Sequence, residues 1–184
     1  MLSRRLRSIG GQRIRCLEPG LLILLVLLMV IPAEESSSAV TIRAQRAQEI
    51  VDELRAALPI NDEVKIAVVV YHPLVFSVEP MDKQKDRFLL SMELGFLLEL
   101  DDDELRAALA HELGHVWVYT HHPFLQTERM ANVIGQRVAD RAAFAKVYSK
   151  LWAYEGTAGV PLVDLLGPPV TGPKVSTAVS GLRP

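Results

Sequence analysis

His111-Glu112-Leu113-Gly114-His115 sets two imidazoles four residues apart with a carboxylate between them. On a helix, at roughly 100° per residue, His111 and His115 leave one face a turn apart, so two ring nitrogens can close on a single metal ion. Glu112 is turned away from them by about a quarter-circle, which suits a general base acting on water beside the ion better than a third ligand. H-E-x-x-H on a helix is the pattern of zinc-dependent hydrolysis.

Catalytic zinc takes a third protein ligand and leaves one position open. His121-His122-Pro123 interrupts the helix, because a residue before proline avoids the helical region and proline suits the first turn of a new helix. The spacing predicts a second helix from about Phe124 to Trp152, with Ala131, Ile134, Val138, Ala142, Ala145 and Tyr148 on its buried side. If the two helices fold back as an antiparallel hairpin turning between His121 and His122, His115 lies level with Glu128 and His111 with Asn132. Glu128 then completes a His, His, Glu set, and Asn132 can accept a hydrogen bond from a ligating imidazole. Gln136 with Asp140 is the competing register, but Gln136 stands a turn beyond His111 and an amide is a poorer zinc ligand than a carboxylate.

The elements around the motif must hold it in place. Asp101-Asp102-Asp103-Glu104 supplies an N-cap and first-turn carboxylates, and Leu105, Leu109, Leu113 and Val116 form an apolar stripe beside the histidine face. Gly114 costs about 1 kcal/mol against Ala inside a helix, a loss that fits a second element approaching closely there. Upstream, Thr41 to Leu58 has helical periodicity through Ala47, Ile50, Val51, Leu54, Ala57 and Leu58, and Pro59 stops it. Val64 to Tyr71 reads as a strand buried on both faces, His72-Pro73 as a turn, and Val75 to Val78 as a short second strand. Leu90, Met92 and Leu94 alternate with Ser91 and Glu93 as a third strand, and Gly95 to Leu100 fits either strand or short helix.

Asp103 to His115 resembles the active-site helix of the gluzincin peptidases, which include HtpX and the CAAX prenyl proteases and share the H-E-x-x-H zincin signature. In that family a hydrophobic strand-and-helix stretch precedes this helix, as Phe88 to Leu100 does here, and a later Glu-x-x-Ala-Asp motif supplies the third ligand and an acid behind it. Glu128-Arg129-Met130-Ala131-Asn132 matches that motif with Asn in place of Asp. The resemblance covers about Val64 to Tyr148 and is closest to the minimal single-domain members, called minigluzincins, because the multi-span membrane body of the larger relatives is absent. It implies that an edge strand above the helix, either Leu90 to Leu94 or Val75 to Val78, binds substrate backbone.

The whole chain, 184 residues with 49% hydrophobic and 23% charged, has room for one domain with a real core. Residues 1–20 carry five arginines against Glu18, whereas the chain from Val40 on carries 15 basic and 19 acidic residues, which argues against a nucleic-acid partner for the folded part. Arg4, Arg5, Arg7, Arg13 and Arg15 precede an apolar run from Leu21 to Ile31, as in a signal peptide cleaved near Ser37-Ser38-Ala39 or an uncleaved membrane anchor. Eleven apolar residues are short for a spanning helix, which needs about 20. The expected organisation is a targeting segment over 1–39, a catalytic domain over 40–155, and a Pro/Gly-rich flexible tail over 156–184. The Val160 to Asp164 stretch of that tail is a candidate to lie in the cleft and inhibit it.

These readings converge on an exported or membrane-anchored α+β zinc metallopeptidase of zincin-like fold, its small sheet packed on the motif helix and the antiparallel glutamate helix. His111, His115 and Glu128 would hold Zn2+, Glu112 would move the proton, and the partner would be a protein or peptide substrate. The attacked carbonyl also needs an oxyanion donor, for which His121, His122, Arg137, Arg141 and Tyr148 are the candidates. The alternative is a metal-binding scaffold or interaction protein that keeps the fold and cleaves nothing.

Overall fold

A computed structural model describes residues 33–81 and 86–168. The arginine-rich and apolar segments of residues 1–32, and residues 169–184, lie outside them. The chain divides into two compact units, Met1–Ser37 and Ser38–Pro184. In order the elements are α1 (Ala33–Ala57), β1 (Glu63–Val69), β2 (Phe76–Pro80), β3 (Arg87–Glu93), α2 (Leu94–Glu99), α3 (Asp102–His121), a 3-10 turn (Pro123–Leu125), α4 (Glu128–Gly135), α5 (Arg141–Glu155) and α6 (Leu162–Leu166). The second unit is therefore α+β. Among the described residues no helix is long and apolar enough to cross a membrane.

The sheet has the order β1-β3-β2, with β1 parallel and β2 antiparallel to β3. Central β3 buries Phe88, Leu90 and Met92, and even its alternate residues Ser91 and Glu93 are largely covered. β1 is an edge strand and not the doubly buried one its apolar run predicts: only Val64 is buried, and Lys65 is exposed. A continuous Val/Ile run reports hydrophobicity but not position in the sheet, so β1 and β3 exchange their expected places. α1 starts earlier than its periodicity predicts and buries Ala47, Ile50, Val51 and Leu54, while Ala57 stays exposed. Gly95 to Leu100, open between strand and helix, is helical over α2.

α3 is the axis of the unit. Asp101 caps it as expected, its side chain accepting from the Glu104 N–H at 2.8 Å while Glu104 accepts from the Asp101 N–H at 2.9 Å. Glu104 is also buried, and Lys150 of α5 donates to it at 2.6 Å and to the Glu99 carbonyl at 2.7 Å, fastening α5 to the start of α3. Leu105, Leu109, Leu113 and Val116 are completely buried, so the predicted stripe faces the core.

The long helix predicted from Phe124 to Trp152 is instead three pieces. Thr127 caps α4 by accepting from the Met130 N–H at 3.1 Å, and Asp140 caps α5 by accepting from the Ala142 N–H at 3.1 Å, so each carries its own start signal. Between them residues 136–139 turn, which resets the helical period: Ala143 and Phe144 are buried and Ala142 is exposed. Within the segment expected to be a flexible tail, residues 162–166 instead form α6, docked with Leu166 only 1% exposed. Arg141 donates to the Leu166 and Gly167 carbonyls at 2.8 and 2.7 Å, and Gln136 donates to the Leu166 carbonyl at 3.0 Å.

Candidate metal centre

α3 and α4 do fold back on each other, in the register the sequence predicts. Gly114 meets Ala131 so closely that a Cβ there would stand 2.8 and 2.9 Å from the Ala131 carbonyl carbon and Cα. Gly135 does the same against the Ala110 carbonyl, at 2.7 Å. These two contacts set the helices near enough for short side chains to share one point. There the Glu128 carboxylate lies 3.1 Å from His111 Nε2 and 3.5 Å from His115 Nε2, and the two Nε2 atoms are 3.2 Å apart.

His111, His115 and Glu128 form a possible metal-binding triad, with one ligand atom from each within 4.8 Å of the others. Ligand atoms around a tetrahedral zinc, at roughly 2.0–2.1 Å from it, are separated by about 3.3 Å. The two Nε2 atoms, 3.2 Å apart, are close to that spacing, and the Glu128 carboxylate reaches one imidazole with Oε2 at 3.1 Å and the other with Oε1 at 3.5 Å. Two neutral imidazoles and one carboxylate are also a donor set that zinc accepts.

The groups behind the triad are satisfied. Asn132, wholly buried, faces His111 Nδ1 with its Oδ1 at 2.8 Å. Its Nδ2 donates to the Tyr148 hydroxyl at 2.7 Å and to the Leu165 carbonyl at 3.2 Å. The donor to Leu165 fixes which way the amide points, so the oxygen must face the imidazole and His111 presents Nε2 to the cleft. An aspartate here would set a carboxylate oxygen against the Leu165 carbonyl, so the neutral amide fits this chain's docked α6. On His115 the corresponding position is held by Gln126, whose Oε1 is 3.4 Å from Nδ1 and whose Nε2 donates to the His115 carbonyl at 3.2 Å. Gln126 carries no signal in the sequence, since it lies in the loop before the Thr127 cap.

Electrostatics separate the two glutamates. Hydrogen bonds from His111 and then His115 hold the Glu128 carboxyl far below the usual carboxylate range, so it is ionised. Burial pushes Glu112 up, against the pull of the neighbouring histidine charges, and its side chain lines the cleft with only 6% of the residue exposed. For His111, burial disfavours the imidazolium, but the Glu128 hydrogen bond and the charges of Glu112 and Glu128 outweigh it and raise its pKa.

Of the oxyanion candidates only Tyr148 lines the cleft. His121 stacks on Trp117 with centroids 4.3 Å apart, His122 tilts against the same ring, and Arg137 lies over it at 5.4 Å. Arg141 is committed to α6. Burial pushes the Tyr148 phenol up to about 12, so it stays protonated, and accepting from Asn132 leaves its own proton free to donate. His72 is outside the triad, as the absence of a partner at ligand spacing implies. Its Nδ1 accepts from the Leu74 N–H at 3.2 Å and its Nε2 lies 3.2 Å from Ser77 Oγ.

A cleft of about 510 Å³ opens over the triad between α3, β2 and α5. β2 lines it and pairs only with β3 among the described strands, whereas Leu90 to Glu93 is central, with β1 on one side and β2 on the other. This removes the Leu90 stretch as an edge for substrate and leaves β2. Val160 to Asp164 does not line the cleft, and α6 packs behind Asn132, so the described part of the tail is not a plug. Comparison of the chain with family models, with curated proteins and with solved structures returned no match.

Proposed function

We propose that the chain is a zinc-dependent endopeptidase of gluzincin type with a zincin-like fold. The observation that carries this is the juxtaposition of the His111, His115 and Glu128 ligand atoms with a buried, raised-pKa Glu112 in one cleft. The three ligands would hold the zinc, which when bound supplies a Lewis acid for a peptide carbonyl and makes nearby water easier to deprotonate. Glu112 takes the proton from water as water attacks, and its raised pKa lets it keep that proton until the leaving amine accepts it. Tyr148 donates its free O–H to the carbonyl oxygen as charge develops there. Asn132 and Gln126 hold the imidazoles in the ligating orientation. The edge of β2 that pairs with no described strand takes an extended substrate by strand addition.

Residues 1–39 are proposed as the export signal or anchor that brings this domain to exported or membrane-associated substrates. Cell fractionation with and without them tests that reading.

The decisive comparison is Glu112→Gln against wild type. We expect one zinc per chain in both, chelator-sensitive cleavage of an unfolded protein by the wild type, and none by the variant. Zinc binding without cleavage by the wild type would favour the non-catalytic scaffold, and an unchanged rate in the variant would remove the base assignment.

A further inference from the structure

α6 spans only Leu162–Leu166, and a helix that short leaves the carbonyls at its end without partners of its own. Side chains of α4, of α5 and of the turn between them take these carbonyls. The Leu165 carbonyl accepts from Asn132 Nδ2 at 3.2 Å, and the Leu166 carbonyl from Gln136 at 3.0 Å and Arg141 at 2.8 Å. Gly167, at φ 65° and ψ −172°, follows the helix in a conformation that essentially only glycine adopts, and its carbonyl accepts from Arg141 at 2.7 Å. Residues 156–161, which join α5 to α6, are exposed throughout, so α6 is held by these bonds and by buried Leu166.

One of these bonds reaches the metal centre. Asn132 lies between His111 and Tyr148, and its amide has an acceptor end and a donor end of nearly the same shape. Neither neighbour distinguishes the ends, because an imidazole nitrogen can donate or accept and so can a phenol. The Leu165 carbonyl can only accept. It therefore turns Nδ2 toward itself and Oδ1 toward His111 Nδ1, which leaves the Nε2 lone pair of His111 for the cleft.

We propose that α6 is an activating latch. Through the Leu165 carbonyl it fixes the Asn132 amide, and with it the ligating face of His111 and the hydroxyl of Tyr148. Gln136, Arg141 and Gly167 are positioning residues that keep the latch closed. Release of α6 loosens the metal centre, the opposite sign to a tail that plugs the cleft. This deepens the peptidase reading and rests on the same site.

The experiment measures zinc affinity of the full chain by chelator competition, at a temperature where circular dichroism shows each variant folded. Leu166→Asp sets a charge at a position only 1% exposed and should expel α6. Gly167→Ala strains only the backbone, since its methyl would stand 3.7 Å from Arg129 Nε, and it carries the comparison if Leu166→Asp does not fold. Each should weaken zinc binding by about 10- to 100-fold. Asn132→Asp alone should cost about tenfold, by setting a carboxylate against the Leu165 carbonyl, but added to either variant it should recover about tenfold or more. The recovery arises because both carboxylate oxygens accept, so no direction needs fixing. An α6 that only stabilises the fold would lower Tm and leave the zinc affinity of the folded protein unchanged. That result, or the same effect of Asn132→Asp with α6 docked and released, would overturn the latch. The expected pattern of zinc affinities without cleavage by the wild type would sink the peptidase reading and sustain the latch, whereas a wild type that binds no zinc would overturn both.

Discussion

Replacing Gly114 by alanine tests the geometry on which the metal centre depends. In an isolated helix the change should stabilise by about 1 kcal/mol, because alanine is the better helix former. Here the added methyl would stand 2.8 and 2.9 Å from the carbonyl carbon and Cα of Ala131, with the Ala131 carbonyl oxygen closer still. Carbon atoms pack at about 3.5 Å or more, so α4 must retreat from α3 by at least about 0.7 Å. Overpacking of this kind costs about 1–3 kcal/mol, enough to cancel the helical gain or exceed it. The displaced helix is the one that carries Glu128 and Asn132, and Ala131 lies between them. A shift of that size at two imidazole contacts of 3.1 and 3.5 Å should weaken zinc binding by about 10- to 100-fold. The assay is denaturant unfolding of the metal-free protein beside zinc titration with a competing chelator. A variant that is more stable by about 1 kcal/mol and binds zinc as tightly as wild type would refute the close approach of the two helices.

Zinc affinity should depend on pH with a definite sign. Protons and metal compete for the same imidazole nitrogens, and His111 is raised above the ordinary histidine value despite its burial, so affinity should begin to fall above about pH 6.5 as acid is added. Affinity that stays flat between pH 8 and 6 would contradict the ligand assignment. Tyr148→Phe should keep zinc and lower kcat by about 10²–10³-fold with little change in KM, since the phenol is protonated at neutral pH and aimed by Asn132; an unaffected kcat would exclude it as the donor. Truncation after residue 168, the last described residue, serves as the reference. Removing 157–184 strips buried Leu166 and the carbonyls that Asn132, Gln136 and Arg141 bind, and should lower Tm by roughly 4–8 °C through a loss of about 2 kcal/mol or more. Equal melting of the two truncations would show that α6 is not docked.

Much of the centre was legible because its signals are local. Two histidines at i and i+4 share a face through backbone geometry alone, the Asp101 to Glu104 capping box needs only four residues, and the leucine stripe declares which face is buried. The pairing of His111 with Asn132 and of His115 with Glu128 needed one further step, counting outward from the proline-marked turn. That count succeeds because His122 ends α3 and the Thr127 cap starts α4 without changing the register across the turn.

What the amino-acid order determined by itself was the helix that carries His111 and His115, its buried face and the residue types available to it. Which strand is central, where the predicted long helix breaks, and that α6 docks behind Asn132 were decided by tertiary packing. β1 and β3 are both apolar, and only the pairing of backbone groups distinguishes an edge from a centre. Gly135 permits contact with Ala110, but that contact exists only when α3 is already beside it. The place of Tyr148 in the cleft is of the same kind: its hydroxyl is positioned by the buried Asn132 amide, which accepts from the His111 imidazole and donates to Tyr148 and to the distant Leu165 carbonyl.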